Sequence, residues 1–172
     1  PAGTIHFHRA RPAARYRGAI QDLLRNYKYR RAFWAVDDLI HILQACAQAH
    51  YDELELDAVT FVPLYPRRRR ERGFNQAELL AARLARTLGL PVVRDGIARV
   101  RPTTTQTNLT AAQRATNVRG AFRVRHPKRL QGRNLLLVDD VMTTGATIEA
   151  CAKLLLTCPD VKVSAVTIAQ GT

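Results

Sequence analysis

Apolar residues return along this chain in two rhythms, one of three to four residues and one of short unbroken runs. From Tyr16 to Lys28 the positions Ile20, Leu23, Leu24 and Tyr27 keep the first rhythm and predict a helix. A second helix is predicted from about Phe33 to His50, with Trp34, Leu39, Ile42, Leu43 and Cys46 inward. Residues 58–64, Ala-Val-Thr-Phe-Val-Pro-Leu, predict the first strand, and Pro63 and Pro66 end its ladder. Helical spacing resumes from Phe74 to Leu88 through Leu80, Leu84 and Leu88, and stops at Gly89 and Pro91. Residues 92–101 alternate weakly and suggest one or two short strands. Pro102 to Thr110 has no apolar period and leads into a short helix, Thr110 to Asn117. Thr110 is its N-cap, with Gln113 three residues on. Residues 120–124 suggest a short strand and His126 to Arg133 a basic turn. Leu135 to Val138 is an apolar run of the kind buried on both faces of a parallel sheet. Ile148, Cys151, Ala152 and Leu155 then predict a helix, and Val161 to Ala169 a last strand. Residues 1–14 carry no period and read as an irregular, basic, solvated terminus that includes His6 and His8. Helices followed by strand–helix units predict an α/β fold with a parallel sheet. A helical segment, 1–57, is expected to pack on a core, 58–172, as one compact domain.

The 172 residues, 47% of them hydrophobic, suffice for one packed core. No apolar run is long enough for a transmembrane helix, and no secretory signal is visible. Cys46, Cys151 and Cys158 form neither a C-x-x-C pair nor an even disulfide framework, which favours a reducing cytoplasm. Cys46 and His50 lie four apart, but two ligands do not make a zinc site. Pro1 in place of Met is expected of a processed chain or a piece of a longer one. Charge changes the picture more. Lysine and arginine number 27 against 14 acidic residues, for a net +13, so the partners expected are polyanions: phosphates, pyrophosphates or nucleic acid.

The densest chemistry follows the run at 135–138. Asp139 and Asp140 stand at the end of the strand, and Thr143-Thr144-Gly145-Ala146-Thr147 leads into the next helix. Backbone N–H groups at a helix start lack internal partners, and the helix dipole is positive there. Gly145 lets the backbone approach a ligand or take a positive φ. The loop therefore reads as a phosphate cradle. Carboxylates beside it repel phosphate but suit sugar hydroxyls or Mg²⁺. Ribose carrying a 5′-phosphate satisfies both. Neither G-x-x-x-x-G-K-[ST] nor G-x-G-x-x-G occurs.

Val138 to Thr147 resembles the phosphoribosyl pyrophosphate signature of type I phosphoribosyltransferases. Three further stretches make the resemblance narrower. Val62-Pro63-Leu64 with Pro66-Arg67-Arg68 and Arg70 to Ala77 form one, and Gln106, Leu109, Arg114 and Asn117 to Phe122 another. The third is Tyr16 to Ile20 with Leu24-x-x-Tyr27-Lys28-Tyr29. Together they resemble the ComF family of amidophosphoribosyltransferase-like proteins, over nearly the whole chain. Members often carry an N-terminal four-cysteine zinc module. This chain shows none, so no zinc role is carried over. The family is associated with natural competence, the bacterial uptake of DNA.

The resemblance implies a parallel-sheet phosphoribosyltransferase-like fold with extra N-terminal helices. It implies phosphoribosyl pyrophosphate as ligand, with Asp139 and Asp140 on the ribose hydroxyls and residues 143–147 on the 5′-phosphate. Leu64, Tyr65, Arg67 and Arg68 would hold the pyrophosphate. Mg²⁺ would bind mainly to ligand oxygens, with Asp139 and Asp140 near it. Gln106 and Arg114 would belong to a lid. The acceptor is not readable. The rival expectation is a competence protein that binds single-stranded DNA and keeps the phosphoribosyl site as a vestige or regulator. Its candidate contacts are the basic–aromatic cluster Tyr27, Lys28, Tyr29, Arg30 and Arg31 together with the arginine run at 67–72.

Overall fold

The computed structural model describes residues 6–30, 32–103 and 110–171. Its centre is a four-stranded parallel sheet in the order β1–β6–β5–β2. These strands are β1 (Arg9–Arg15), β2 (Ala58–Phe61), β5 (Asn134–Met142) and β6 (Lys162–Gln170). Helices α1 (Gly18–Arg30), α2 (Val36–Tyr51) and α4 (Gln76–Leu88) cover one face, where Leu24, Leu39, Leu43, Leu80 and Leu84 meet Leu136 and Val138. Helix α6 (Ala146–Leu155) covers the other, where Ile148, Cys151 and Leu155 meet Leu135 and Leu137. The alternation of β5 thus feeds two cores, as an apolar run buried on both sides should. A two-stranded antiparallel sheet, β3 (Ile97–Arg99) with β4 (Phe122–Val124), lies on the α6 side. Helix α3 (Pro66–Arg72) follows β2, and α5 (Ala111–Val118) precedes β4. The Thr110–Gln113 capping box is present.

Three expectations are corrected. Residues 9–15 are not an irregular terminus: they pair with β6, Arg9 opposite Ser164 and Arg15 opposite Gln170. Alternating small and charged residues hid this edge strand, because only half-buried positions face the core. Nor is His6 merely solvated, since its backbone N–H and ring Nδ1 both meet the Glu149 carboxylate on α6. Trp34 is exposed, not inward, because residues 33–35 form a tight 3₁₀ turn that sets the helical phase only from Val36.

The winding reverses at one place. Val59 N–H donates to Pro91 O and Val93 N–H to Val59 O, each at 2.9 Å, on the edge of β2 away from β5. From β2 the chain moves outward with α4 on one face; from β5 it moves the opposite way with α6 on the other. The switch point falls between β2 and β5, and ligands of open α/β sheets bind beyond the carboxyl ends of strands at such a point.

Candidate functional site

Two loops leave the sheet at that switch point. Val62 N–H donates to Val138 O at 3.0 Å, which sets the turn 63–66 beside Asp139. Asn75 fixes this turn to α4: its Nδ2 donates to Val62 O (3.2 Å) and its Oδ1 accepts from Ala77 N (3.1 Å) as helix cap. Leu64 and Tyr65 are half-buried along the turn. Strand β5 runs on past the acidic pair to Met142, and Thr143 to Gly145 turn into α6. Gly145 has φ 78° and occupies the N-cap with no side-chain cap bond, so no side chain fills the helix start. Thr144 is exposed, and Thr143 and Thr147 are half-buried beside it.

The acidic pair is sunk into the sheet, with Asp139 9% and Asp140 5% exposed. Successive strand residues face opposite sides. Asp140 turns toward α1, where Lys28 Nζ stands 2.9 Å from its Oδ2. Asp139 turns toward α6 and β3, where Cys151 and Arg99 sense its charge. Its Oδ1 accepts from Asp140 N–H at 2.8 Å. Burial, and then the neighbouring Asp140 charge, push the Asp139 carboxyl well above the usual carboxylate range; Lys28 and Arg99 pull the other way and do not compensate. Burial by itself would lower the Lys28 ammonium, but the Asp140 charge and hydrogen bond reverse this, and its pKa is raised. The buried pair thus has Lys28 as its ion-pair partner.

The structure redistributes the expected residues. Asp139, Asp140, residues 143–147, Leu64 and Tyr65 come together at the switch point. Arg67 is exposed and forms an ion pair with Glu71 at 2.8 Å, one helical turn along α3. Arg68 is half-buried and close enough to Arg99 for the two charges to oppose each other. The arginine run is thus a short helix whose members diverge. Gln106 lies outside the described residues, as does Arg31. Arg114 belongs to α5, but its side chain lies outside the description.

The proposed nucleic-acid cluster is corrected at two positions. Tyr27 is fully buried, its hydroxyl donating to Gln76 O at 2.9 Å, and offers no stacking face. Lys28 is committed to Asp140. Tyr29 is exposed, 5.4 Å from the Arg72 guanidinium, and Arg30 is exposed. Sequence reasoning missed two site cations. Lys28 follows Ile20 and Leu24 at four-residue steps, so it sits on the buried stripe of α1, and that spacing could have found it. Arg99 follows the buried Ile97 by two residues in a strand. Its guanidinium lies 5.4 Å from the Phe122 ring, and its Nε is buried without a hydrogen-bond partner.

Among the described residues, no three histidine, cysteine or acidic side chains converge on a point that could hold a metal ion. The two aspartates face opposite sides of the sheet and do not chelate. Such a donor set fits Mg²⁺ carried by a ligand's own phosphate and ribose oxygens, with a carboxylate reached directly or through water. No helix among the described residues is long and apolar enough to cross a membrane.

The phosphoribosyl transferase domain profile matches residues 74–171. "DNA utilization protein YhgH" of Salmonella typhi is 46% identical over 100 residues, covering 58% of this chain and 43% of the relative. "Competence protein F" of Haemophilus influenzae is 36% identical over 137 residues, covering 77% and 60%. The chain thus spans from under half to three-fifths of the length of these relatives. Adenine phosphoribosyltransferases share the fold. That of Saccharomyces cerevisiae aligns with TM-score 0.54 at 15% identity, over 81% of this chain and 70% of that one. That of Thermoanaerobacter pseudethanolicus aligns with TM-score 0.51 at 20% identity, over 87% and 73%. With a glycine-centred loop leading into α6 at the switch point and the domain profile running through it, the chain belongs to the phosphoribosyl transferase family, in its ComF group of competence-related members.

Proposed function

We propose that this chain binds phosphoribosyl pyrophosphate with Mg²⁺ and transfers the phosphoribosyl group to an acceptor. The observation that carries this reading is the uncapped start of α6, with Gly145 in the left-handed region at the switch point. The helix start and the threonine hydroxyls take the 5′-phosphate. A ribose lying across the end of β5 meets a carboxylate from each side of the strand, Asp139 and Asp140. The turn 63–66 receives the pyrophosphate, with Arg68 and Arg99 near it. Mg²⁺ supplies charge neutralisation on the leaving pyrophosphate. In the transfer the bond from ribose C1 to the pyrophosphate oxygen breaks and a bond from C1 to the acceptor nucleophile forms. The sugar passes through an oxocarbenium-like state. The chain has only to fix both ends and exclude water. The relatives' names, DNA utilization and competence, support a role in handling DNA.

Calorimetric titration with phosphoribosyl pyrophosphate and Mg²⁺ tests the site. Changing both Asp139 and Asp140 to Asn should weaken binding by about 1–3 kcal/mol, the scale of hydrogen bonds to charged groups. Unchanged affinity in the double variant would remove the carboxylates from the ribose. Gly145→Val should cost about 1–2 kcal/mol of stability for a side chain in the left-handed region. It should also lower affinity by about tenfold or more by blocking backbone approach. A folded Gly145→Val protein that binds as tightly as wild type would mean the phosphate lies elsewhere. Release of pyrophosphate against a panel of bases and amines then separates turnover from binding alone.

A further inference from the structure

Beside the carboxyl end of β2 lies a second cleft, of about 960 Å³, between α3 and the strand pair β3–β4. Its floor is apolar, made by Phe61, Pro63 and Ile97, and Tyr65 lines it from the turn 63–66. Its walls are basic. Arg69 and Arg70 come from α3; Arg94, Arg99 and Arg125 come from the opposite side. The cleft holds two carboxylates, and both are already neutralised. Glu78 pairs with Arg69 at 3.1 Å, and Asp95 with Arg129 at 2.7 Å. That leaves the exposed side chains of Arg70, Arg94 and Arg125 without a hydrogen-bond or ion-pair partner among the described residues, and the Arg99 Nε buried and unpartnered. Unpaired guanidinium groups on facing walls of an apolar-floored trough present a row of phosphate sites, not a single one. The half-buried Tyr65 ring adds a face on which a base can stack.

We propose that this cleft binds single-stranded nucleic acid, its backbone phosphates on Arg70, Arg94 and Arg125 and a base against Tyr65. A strand enters the trough and brings its bases to the floor. A duplex, its bases already stacked and paired, lies across the mouth and reaches only the rims. The strand thereby passes directly beside the turn proposed for pyrophosphate, and the cleft joins that site through Tyr65. The inference stands on the cleft's own charges and does not require phosphoribosyl transfer.

The test is fluorescence anisotropy with a labelled oligothymidylate and with a duplex of the same length, at several salt concentrations. The cleft variant carries Arg70→Ala, Arg94→Ala and Arg125→Ala. The control variant removes the same charge from exposed arginines outside the cleft, with Arg25→Ala, Arg86→Ala and Arg123→Ala. The cleft variant should bind the single strand about tenfold more weakly or worse. Its slope of log affinity against log salt should become shallower by about 2, at about 0.7 for each phosphate no longer neutralised on a single strand. The control should stay within about threefold of wild type, and Tyr65→Ala should weaken binding by about fivefold or more as the base loses its stacking face. Calorimetric affinity for phosphoribosyl pyrophosphate should stay within about twofold in the cleft variant, whose three arginines lie outside the proposed ribose and pyrophosphate contacts. Equal losses in the two triple variants would assign binding to diffuse net charge and overturn the proposal. So would tighter binding of the duplex, or no binding of the strand at about physiological salt.

Discussion

Lys28→Ala should lower the unfolding free energy by about 3 kcal/mol, near the lower end of what breaking a buried ion pair costs. The lower end applies because the Lys28 side chain keeps 17% of its exposure while that of Asp140 keeps 8%. The loss is mainly that of a carboxylate left inside the sheet without its cation, so the second change should offset the first. Lys28→Met combined with Asp140→Asn should recover most of the stability, because no charge is then stranded. Urea titrations of wild type, Lys28→Met, Asp140→Asn and the paired variant form the cycle that isolates the interaction. A Lys28→Ala protein within about 0.5 kcal/mol of wild type, the range of an ordinary surface change, would show that the pair holds nothing. The sign with pH follows from the raised lysine: its contribution is complete below the unfolded value of about 10.4 and is lost as pH rises through the higher folded value.

Asp139→Asn should do the opposite and stabilise the protein at pH 8, by about 2 kcal/mol. The Asp139 carboxyl is raised by burial and by Asp140. The folded state therefore holds its proton where the unfolded chain has lost it. Its contribution to stability is complete below the unfolded value near 4 and falls as pH rises toward the raised folded value, by up to about 1.4 kcal/mol per pH unit. Asparagine mimics the protonated form at every pH. The variant and wild type should thus converge near pH 4 and separate as pH rises, in thermal or urea unfolding followed from about pH 4 to 8.5. Parallel curves across that range would disprove the assignment. If the proposed ribose contact holds, the Asp139 carboxyl is a group kept for its ligand at the expense of the fold.

Much of the site was legible because it rests on short-range pattern. A four-residue apolar run, two acids and a glycine-centred loop before a helical stripe fix strand, turn and helix without reference to the rest of the chain. The residues that complete it were hidden by distance. Lys28 meets Asp140 from the far end of the sequence: its four-residue spacing from Ile20 and Leu24 marks the inward stripe of α1, but nothing local names the carboxylate it meets. The same holds for the arginine run. Read as a string, 67–70 is a single block of charge; wound as α3, it sends Arg67 to Glu71, Arg69 to Glu78 and Arg70 into the second cleft. Tyr27 and Tyr29 fail alike as a pair, since helical phase buries one and exposes the other. Strand β1 was missed because small and basic residues at the rim of a sheet lack the apolar alternation that marks a strand.

That rim strand has a consequence for any shortened version of the protein. Strand β6 is buried along nearly its whole length, from Val163 to Ala169, with β1 on one side and β5 on the other. A chain starting at residue 18 lacks β1 but keeps α1 and α2, and it leaves that side of β6 open. It then presents a long row of unpaired backbone groups, uncharged from Val163 to Ala169, the kind of edge that recruits a strand from another molecule. Such a fragment should form dimers and larger assemblies by edge-to-edge pairing, and adding back a peptide spanning residues 6–17 should cap the edge and return it to a monomer.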